Sequence, residues 1–284
     1  MESVRRPTAS ETDAMFELFR AFLYETAGIY FQEQNRERLM SHVATRMAAT
    51  GATDPVTYLG ALKTARGNRS ELWEFFNQVT VNETYFFREP NQFEVLRDRV
   101  LPQLFKRRRD ERRDSVTIWS AACSSGEEAY TLAILLKESF PAEAPTTRIV
   151  GFDINSQVVD RAQKGEFSEY SVRACPEAQK ANCFKKTGKT YVLIPYLKRF
   201  ATFHVANLMD PFSLRAFPRP DLILCRNALI YFDRDSKARV LKNLADVLLP
   251  HGYLFLSLTE TLFNIDHSFE VVHFFKACGY RRKT

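Results

Sequence analysis

Val116-Thr117-Ile118-Trp119-Ser120-Ala121-Ala122-Cys123-Ser124-Ser125-Gly126-Glu127-Glu128 is the stretch that decides the fold. Val116–Ser120 is a short apolar run of the kind a buried strand needs. From Ser120 to Gly126 every residue is small, so backbone can approach a ligand closely, and a helix from Glu127 to Phe140 follows. The rhythm then repeats. Arg148–Asp153 reads as a second strand, and Asn155 caps a helix to about Lys164. Asp221–Cys225 is a third apolar strand, with a helix from Ser236 to Leu249 after it. Pro250-His251-Gly252 turns the chain into Tyr253–Ser257. Short strands alternating with helices predict a parallel α/β sheet with crossover helices.

Upstream of this sheet the pattern is helical. Phe16, Leu18, Phe19, Phe22 and Leu23 recur at helical spacing and stop at Gly28. A second helix runs from about Gln34 to Ala49 and ends at Gly51, Asp54-Pro55 opens a third, and Arg69–Gln78 supplies a fourth. Between about Phe167 and Val205 the alternation breaks. Lys186-Thr187-Gly188-Lys189 signals a turn, with Thr190–Leu193 and Arg199–His204 as β-prone flanks, so a small antiparallel excursion is expected there. The predicted organisation is a helical domain (1–80), a linker and lead-in helix (81–114) and an α/β domain (115–284) with the excursion at about 167–205.

Hydrophobic residues at 45% and charged residues at 26% suit a folded chain with a real core. The formal charge of +6 comes from 40 basic residues mixed among 34 acidic ones, too modest an excess to define a nucleic-acid binder. The densest run, Lys106-Arg107-Arg108-Arg109-Asp110-Glu111-Arg112-Arg113-Asp114, has no interleaved aromatics and reads as a solvated helix end. Five cysteines, with no CxxC pair and no Cys/His cluster, predict free thiols and no metal. No apolar segment follows Met1–Arg6 as a leader and none is long enough to span a bilayer. A cytoplasmic monomer is the expectation.

In an open α/β sheet the ligand sits outside the carboxyl ends of the strands. The first strand end is the small-residue turn before Glu127-Glu128. The second is Asp153, an acid placed for ribose hydroxyls, and the third is Cys225-Arg226-Asn227. A GxGxxG fingerprint is absent. Carboxylates where a pyrophosphate would sit would repel phosphate but attract a cation. That favours S-adenosylmethionine, which carries an ammonium and a sulfonium and no phosphate. Taken alone, the two glutamates would simply complement a helix dipole; Asp153 at the next strand tips the balance.

Four stretches carry a resemblance: Asn82-Glu83-Thr84-Tyr85-Phe86-Phe87-Arg88-Glu89, Trp119–Tyr130, Gly151-Phe152-Asp153-Ile154 and Cys225-Arg226-Asn227-Ala228-Leu229-Ile230-Tyr231-Phe232. In order and spacing they resemble the chemotaxis receptor (protein-glutamate) O-methyltransferases over about residues 14 to 275. The resemblance implies a Rossmann-like S-adenosylmethionine-dependent methyltransferase sheet, an N-terminal all-α domain and an inserted β-subdomain. Asn82, Thr84 and Arg88 resemble the linker that closes over the cofactor. Glu128 corresponds to the residue that holds its methionine or adenosine part, Asp153 to the ribose ligand, and Asn207 and Leu208 to the adenine-flanking pair. Arg226 and Asn227 fall at the methyl-transfer end. The implied substrate is a glutamate on the cytoplasmic helices of methyl-accepting chemotaxis receptors, with the enzyme recruited to membrane receptor arrays.

The chemistry fits such residues. A glutamate with pKa ~4.3 is already a nucleophile at neutral pH, so alignment and exclusion of water matter more than a general base. Arg88 can steer the carboxylate and Tyr231 can donate a hydrogen bond that orients it. Arg38, His42 and Arg46 fall at i, i+4, i+8 and form a basic stripe suited to an acidic receptor helix. The short turn at 186–189 disfavours capture of a receptor tether peptide. Two rival readings stand beside this one: a methyltransferase acting on another protein or a small molecule, and a non-catalytic module that senses the cofactor. Asn227-Ala228-Leu229-Ile230 lacks the prolines of base-amine methyltransferases.

Overall fold

The computed structural model describes residues 9–64, 69–265 and 267–283; Met1–Arg6 lie outside the described residues. Four helices come first: α1 (Ala9–Ala27), α2 (Arg36–Thr50), α3 (Pro55–Thr64) and α4 (Arg69–Val79). Phe16, Phe19, Leu23, Leu39, Val43, Tyr58 and Phe75 interlock in a core of their own, as the helical spacing predicts. α2 ends where Gly51 takes a left-handed conformation with φ 73°, which a residue without Cβ adopts at little cost.

This packing corrects the basic stripe. Arg46 turns toward α4, where its Nε donates to Glu71 at 3.0 Å, and the Tyr58 hydroxyl donates to the same carboxylate at 2.7 Å. The His42 ring meets the Gln78 amide at 3.3 Å, and burial, with Arg38 alongside, lowers its pKa. Only Arg38 of the three remains an exposed cation with no acidic partner among the described residues. Glu71→Ala strands the Tyr58 hydroxyl and the Arg46 guanidinium together, and is expected to cost about 2 kcal/mol of stability. Urea denaturation measures this; a loss below about 0.5 kcal/mol would mean that water replaces the carboxylate freely.

α5 (Pro90–Val95) runs through a π-helical turn at Leu96–Val100 into α6 (Leu101–Asp110). Most cations of the charge run at the end of α6 have acidic partners, within the run or on neighbouring segments. Lys106 pairs with Asp110 at 2.6 Å, Arg107 with Glu111 at 3.2 Å and Arg113 with Asp221 at 2.6 Å, while Arg108 and Arg109 share Glu143.

The large sheet follows. In chain order it holds β1 (Val116–Ala121), α7 (Glu127–Ser139), β2 (Thr147–Asp153) and α8 (Ser156–Lys164). An insert then supplies β3 (Glu166–Ser168), α9 (Glu177–Cys183), β4 (Phe184–Thr187), β5 (Thr190–Leu193) and α10 (Pro195–Lys198). The chain returns with β6 (Ala201–Val205), α11 (Pro211–Arg215), β7 (Leu222–Leu224), α12 (Arg234–Val247), β8 (Tyr253–Phe255), β9 (Phe269–Phe274) and β10 (Ala277–Arg282). Seven strands lie in the order β6-β2-β1-β7-β8-β10-β9. The first five are parallel, and β10 and β9 close one edge antiparallel. The central strands β1, β7 and β8 are buried along their whole length, the edge strand β6 alternates buried and exposed residues, and separate clusters cover the two faces.

The insert forms its own antiparallel sheet, β3-β5-β4. Its predicted right-hand flank is wrong. Ala201–Val205 pairs parallel with β2, Ile149 opposite Ala201 through Asp153 opposite Val205, and so belongs to the large sheet. The insert therefore ends with α10, short of residue 205. The β4–β5 hairpin is tight, Thr187 pairing with Thr190 across Gly188-Lys189.

Candidate functional site

Strand order reverses between β1 and β7, because β2 and β6 lie on one side of β1 and β7 and β8 on the other. A crevice opens at such a switch point. The turn leaving β1 is tightly coiled: Ala122, Ser124 and Gly126 all have positive φ, at 56°, 48° and 91°. Its Ser124 N–H donates to Asp153 Oδ2 at 2.9 Å, and Asn155 N–H donates to Oδ1 at 2.9 Å. Asp153 is 7% exposed. Burial pushes its carboxyl up, and these backbone N–H bonds pull it back down.

A cavity of about 490 Å³ lies over this turn. Its wall gathers Asn82, Thr84, Arg88, Glu128, Asp153, Asn207, Leu208, Arg226, Asn227 and Tyr231 from five separated stretches of the chain. Arg38 of the α2 stripe joins them, with Tyr30 and Asn35 from the same domain; His42 and Arg46 do not. The helical domain is thus one wall of the cavity. It is fastened there by Tyr30 N–H donating to the Tyr231 carbonyl at 3.2 Å and by the Asn207 amide donating to the Thr26 carbonyl at 2.6 Å.

The charges differ from the sequence expectation. Glu127 is buried off the cavity with the Ser125 hydroxyl donating to it at 2.8 Å. Glu128 does reach the cavity, but Ser120 Oγ donates to it at 2.6 Å and Arg226 Nη1 at 3.0 Å. Arg226 also pairs with Glu89 at 3.3 Å and donates to the Arg88 carbonyl. Its Nε is buried without a partner. The wall as a whole carries Arg38, Arg88 and Arg226 against Glu83, Glu128 and Asp153. Those formal charges cancel, so the carboxylates do not select a cation by bulk attraction. What the wall offers instead is both signs at one end, suited to a zwitterionic amino acid group, and a lone buried acid at the other, suited to hydroxyls. That is the donor set S-adenosylmethionine requires.

Cys123 also lines the cavity, but burial raises its thiol well above the ordinary range and removes it as a nucleophile. Among the described residues no group of three or more His, Cys, Asp or Glu could hold a metal ion.

Sequence reading missed how the linker is held. The Arg173 guanidinium lies between the Tyr85 and Tyr170 rings, 3.6 and 3.5 Å from their centroids, and Tyr170 Oη donates to Glu83 at 3.1 Å. Phe86 N–H donates to the Ser171 carbonyl at 2.9 Å. The insert therefore clamps segment 82–88, which forms part of the cavity wall. Arg173→Ala is expected to weaken product binding about 10-fold, as a stacked cation contributes on the order of 1–2 kcal/mol. Calorimetric titration of S-adenosylhomocysteine checks it; an unchanged Kd would detach the clamp from the cavity.

Two family models match the chain: "CheR methyltransferase, all-alpha domain" over residues 14–80 and "CheR methyltransferase, SAM binding domain" over residues 82–278. Curated relatives are similar along nearly the whole length. Chemotaxis protein methyltransferase 2 of Vibrio cholerae is 33% identical, with 95% of this chain and 93% of that one covered. Chemotaxis protein methyltransferase 1 of Pseudomonas aeruginosa is 32% identical over 96% of this chain and 100% of that one. The chemotaxis protein methyltransferase of Salmonella typhimurium is 30% identical over 92% and 88%.

Proposed function

The chain belongs to the CheR methyltransferase family, and from that premise we propose that it converts glutamate side chains on the cytoplasmic helices of methyl-accepting chemotaxis receptors into methyl esters. It is an S-adenosylmethionine-dependent methyltransferase of chemotaxis; the glutamate acceptor, the receptor helices and the residue roles are the proposal. The observation that carries it is a cavity walled by both domains. Its wall presents Arg38 and Arg88 with Tyr231, and burial raises the thiol of Cys123 in the same wall.

The cofactor supplies a methyl group activated for displacement. Asp153, Asn207 and Leu208 would hold its nucleoside, and Glu128 with Arg226 its amino acid end. Asn82, Thr84 and Arg88 would close the linker over it. The acceptor carboxylate is ionised at neutral pH, so the chain has no proton to remove. Arg38 and Arg88 face the Tyr231 end, where they attract the acceptor; among the described residues neither guanidinium has a carboxylate partner. Arg88 Nη1 donates to the Glu83 carbonyl at 2.9 Å, which fixes its fork. Burial pushes the Tyr231 phenol up while Arg88 pulls it the other way; the hydroxyl stays protonated and can donate to the acceptor. Together these groups hold the nucleophile in line and keep water out.

Tyr231→Phe is expected to lower kcat about 10-fold, the worth of one hydrogen bond to a charged group, with product affinity unchanged. A loss below twofold removes Tyr231 from the reaction. The reading as a whole is tested with tritiated S-adenosylmethionine and receptor-containing membranes. Base-labile label on receptor protein supports it. Label on another protein or a metabolite favours the broader methyltransferase, and binding without transfer favours a sensing module.

No helix among the described residues is long and apolar enough to cross a membrane. In the proposal the enzyme is cytoplasmic, monomeric, recruited to receptor arrays and independent of a tether peptide. The two-residue β4–β5 turn supports the last point.

A further inference from the structure

Glu260 is not part of the cavity wall, yet its carboxylate is the point on which the wall's methyl-transfer side hangs. Its Oε2 accepts from the Asn227 N–H and the Ser257 N–H, both at 2.9 Å, and its Oε1 accepts from the Ile230 N–H at 3.3 Å. Asn227 sits at φ 57°, in the left-handed region that disfavours a residue with a Cβ. A turn held in that conformation, between a buried strand end and an exposed Ile230, needs an outside brace. The brace is an anion receiving several converging backbone N–H groups, the strong form of the hydrogen bond.

A second carboxylate completes the brace. The Asn227 side-chain amide donates to Ser257 Oγ at 2.9 Å, and that hydroxyl donates to Glu89 Oε1 at 2.6 Å. Leu258 N–H donates to Glu89 Oε2 at 3.2 Å. The linker, the loop after β7 and the loop after β8 are therefore joined through Glu89 and Glu260. The nucleoside-facing residues Asp153 and Asn207 lie across β1, on the β2 and β6 side, and share no bond with this network.

We infer that Glu260 is a positioning residue for methyl transfer, its carboxylate gathering the N–H groups of Asn227 and Ile230 and so fixing the turn that carries Asn227 and Tyr231 to the acceptor end of the cavity. Glutamine cannot replace it, because one carboxylate oxygen would become an NH2 group facing backbone donors. A displaced turn moves the acceptor out of line, and misplacement of about 1 Å costs about 100-fold in rate. Nucleoside binding, on the other side of the sheet's switch point, is left intact. The rate part of this inference rests on the methyl-transfer reading above; the structural part does not.

The test uses Glu260→Gln in the full chain, with three measurements. Amide hydrogen exchange in segment 226–232, without cofactor, is expected to speed at least about 10-fold while the sheet strands keep their protection. The Kd for S-adenosylhomocysteine stays within about threefold of the parent, and kcat for receptor methylation falls about 100-fold. Unchanged exchange in 226–232, or product affinity falling in step with the rate, overturns the assignment. Should E260Q fail to fold, Glu260→Asp keeps the carboxylate but withdraws it by one methylene from the Asn227 and Ile230 N–H groups. It is expected to give a smaller change of the same kind, and parental exchange in 226–232 with a parental rate in E260D overturns the assignment as well. Failure of the parent chain to label receptors would sink the acceptor assignment while the exchange result still stood.

Discussion

Asp153→Ala is expected to raise the Kd for S-adenosylhomocysteine at least about 100-fold, equivalent to about 2.7 kcal/mol, and to abolish methyl transfer at ordinary cofactor concentrations. Two losses add. In the proposed arrangement the ribose hydroxyls lose a buried acceptor, and removing an acceptor from a dry site leaves its partners unpaired. Also, the Ser124 and Asn155 N–H groups, both held at 2.9 Å by this carboxylate, are freed. Ser124 lies in the left-handed turn that shapes the cavity floor. Asp153→Asn separates the two effects, since one amide oxygen can still brace the turn. It should recover about a tenth of the lost affinity at most. The pH dependence has a definite sign. Burial raises the Asp153 carboxyl, so it takes up a proton at higher pH than an exposed aspartate does, and affinity falls as pH falls through that raised value. Calorimetry of parent and variant across mildly acidic to neutral pH gives both answers. A D153A chain that binds the product as well as its parent would end the cofactor-site assignment.

The parts of this site that were readable in sequence are those made by neighbours in the chain. The small-residue turn between Ser120 and Gly126 and the acid ending the second strand are local features, and both stand where the strand-end rule places them. The linker and Asn207-Leu208 came only through resemblance, yet they line the same cavity. Features made by distant pairs were not readable. Arg46 fits an exposed stripe by helical spacing, and nothing in α2 reveals that Glu71, 25 positions on, captures it. Glu128 reads as a free carboxylate until Arg226, 98 positions away, is folded beside it. Ala201–Val205 alternates buried and exposed residues, a pattern an antiparallel flank and a sheet edge share, so its parallel pairing with β2 shows only in three dimensions. The β9–β10 hairpin went unread because β9 is largely exposed and lacks an apolar run. Glu260 carries no motif at all; its role comes from backbone donors whose direction no side-chain pattern encodes.

Arg226 carries the largest expected effect. Its side chain is 3% exposed and lies between two acids, Glu89 at 3.3 Å and Glu128 at 3.0 Å, while also donating to the Arg88 carbonyl. Arg226→Met removes the cation and keeps most of the volume. Two largely buried carboxylates, 16% and 13% exposed, then lose their shared counterion, a situation that costs about 3–5 kcal/mol when one partner of a buried pair is deleted. The chain can relieve it only by protonating one acid or by letting the linker swing away. Either route disarms the cavity: a protonated Glu128 no longer pairs with an ammonium, and a released Arg88 no longer faces the acceptor. A fall in kcat/KM of at least about 1,000-fold is expected, with a stability loss on the order of 3 kcal/mol by urea denaturation. Arg226→Lys discriminates charge from geometry. An ammonium restores one positive charge, so much of the stability returns. It cannot reach two carboxylates and a carbonyl along the directions of a planar fork, so activity stays at least about 100-fold down. Were R226K to methylate at the parental rate, the fork geometry would be irrelevant, and the link between the linker and the β7 loop would have to be carried by Glu89 and Ser257 alone.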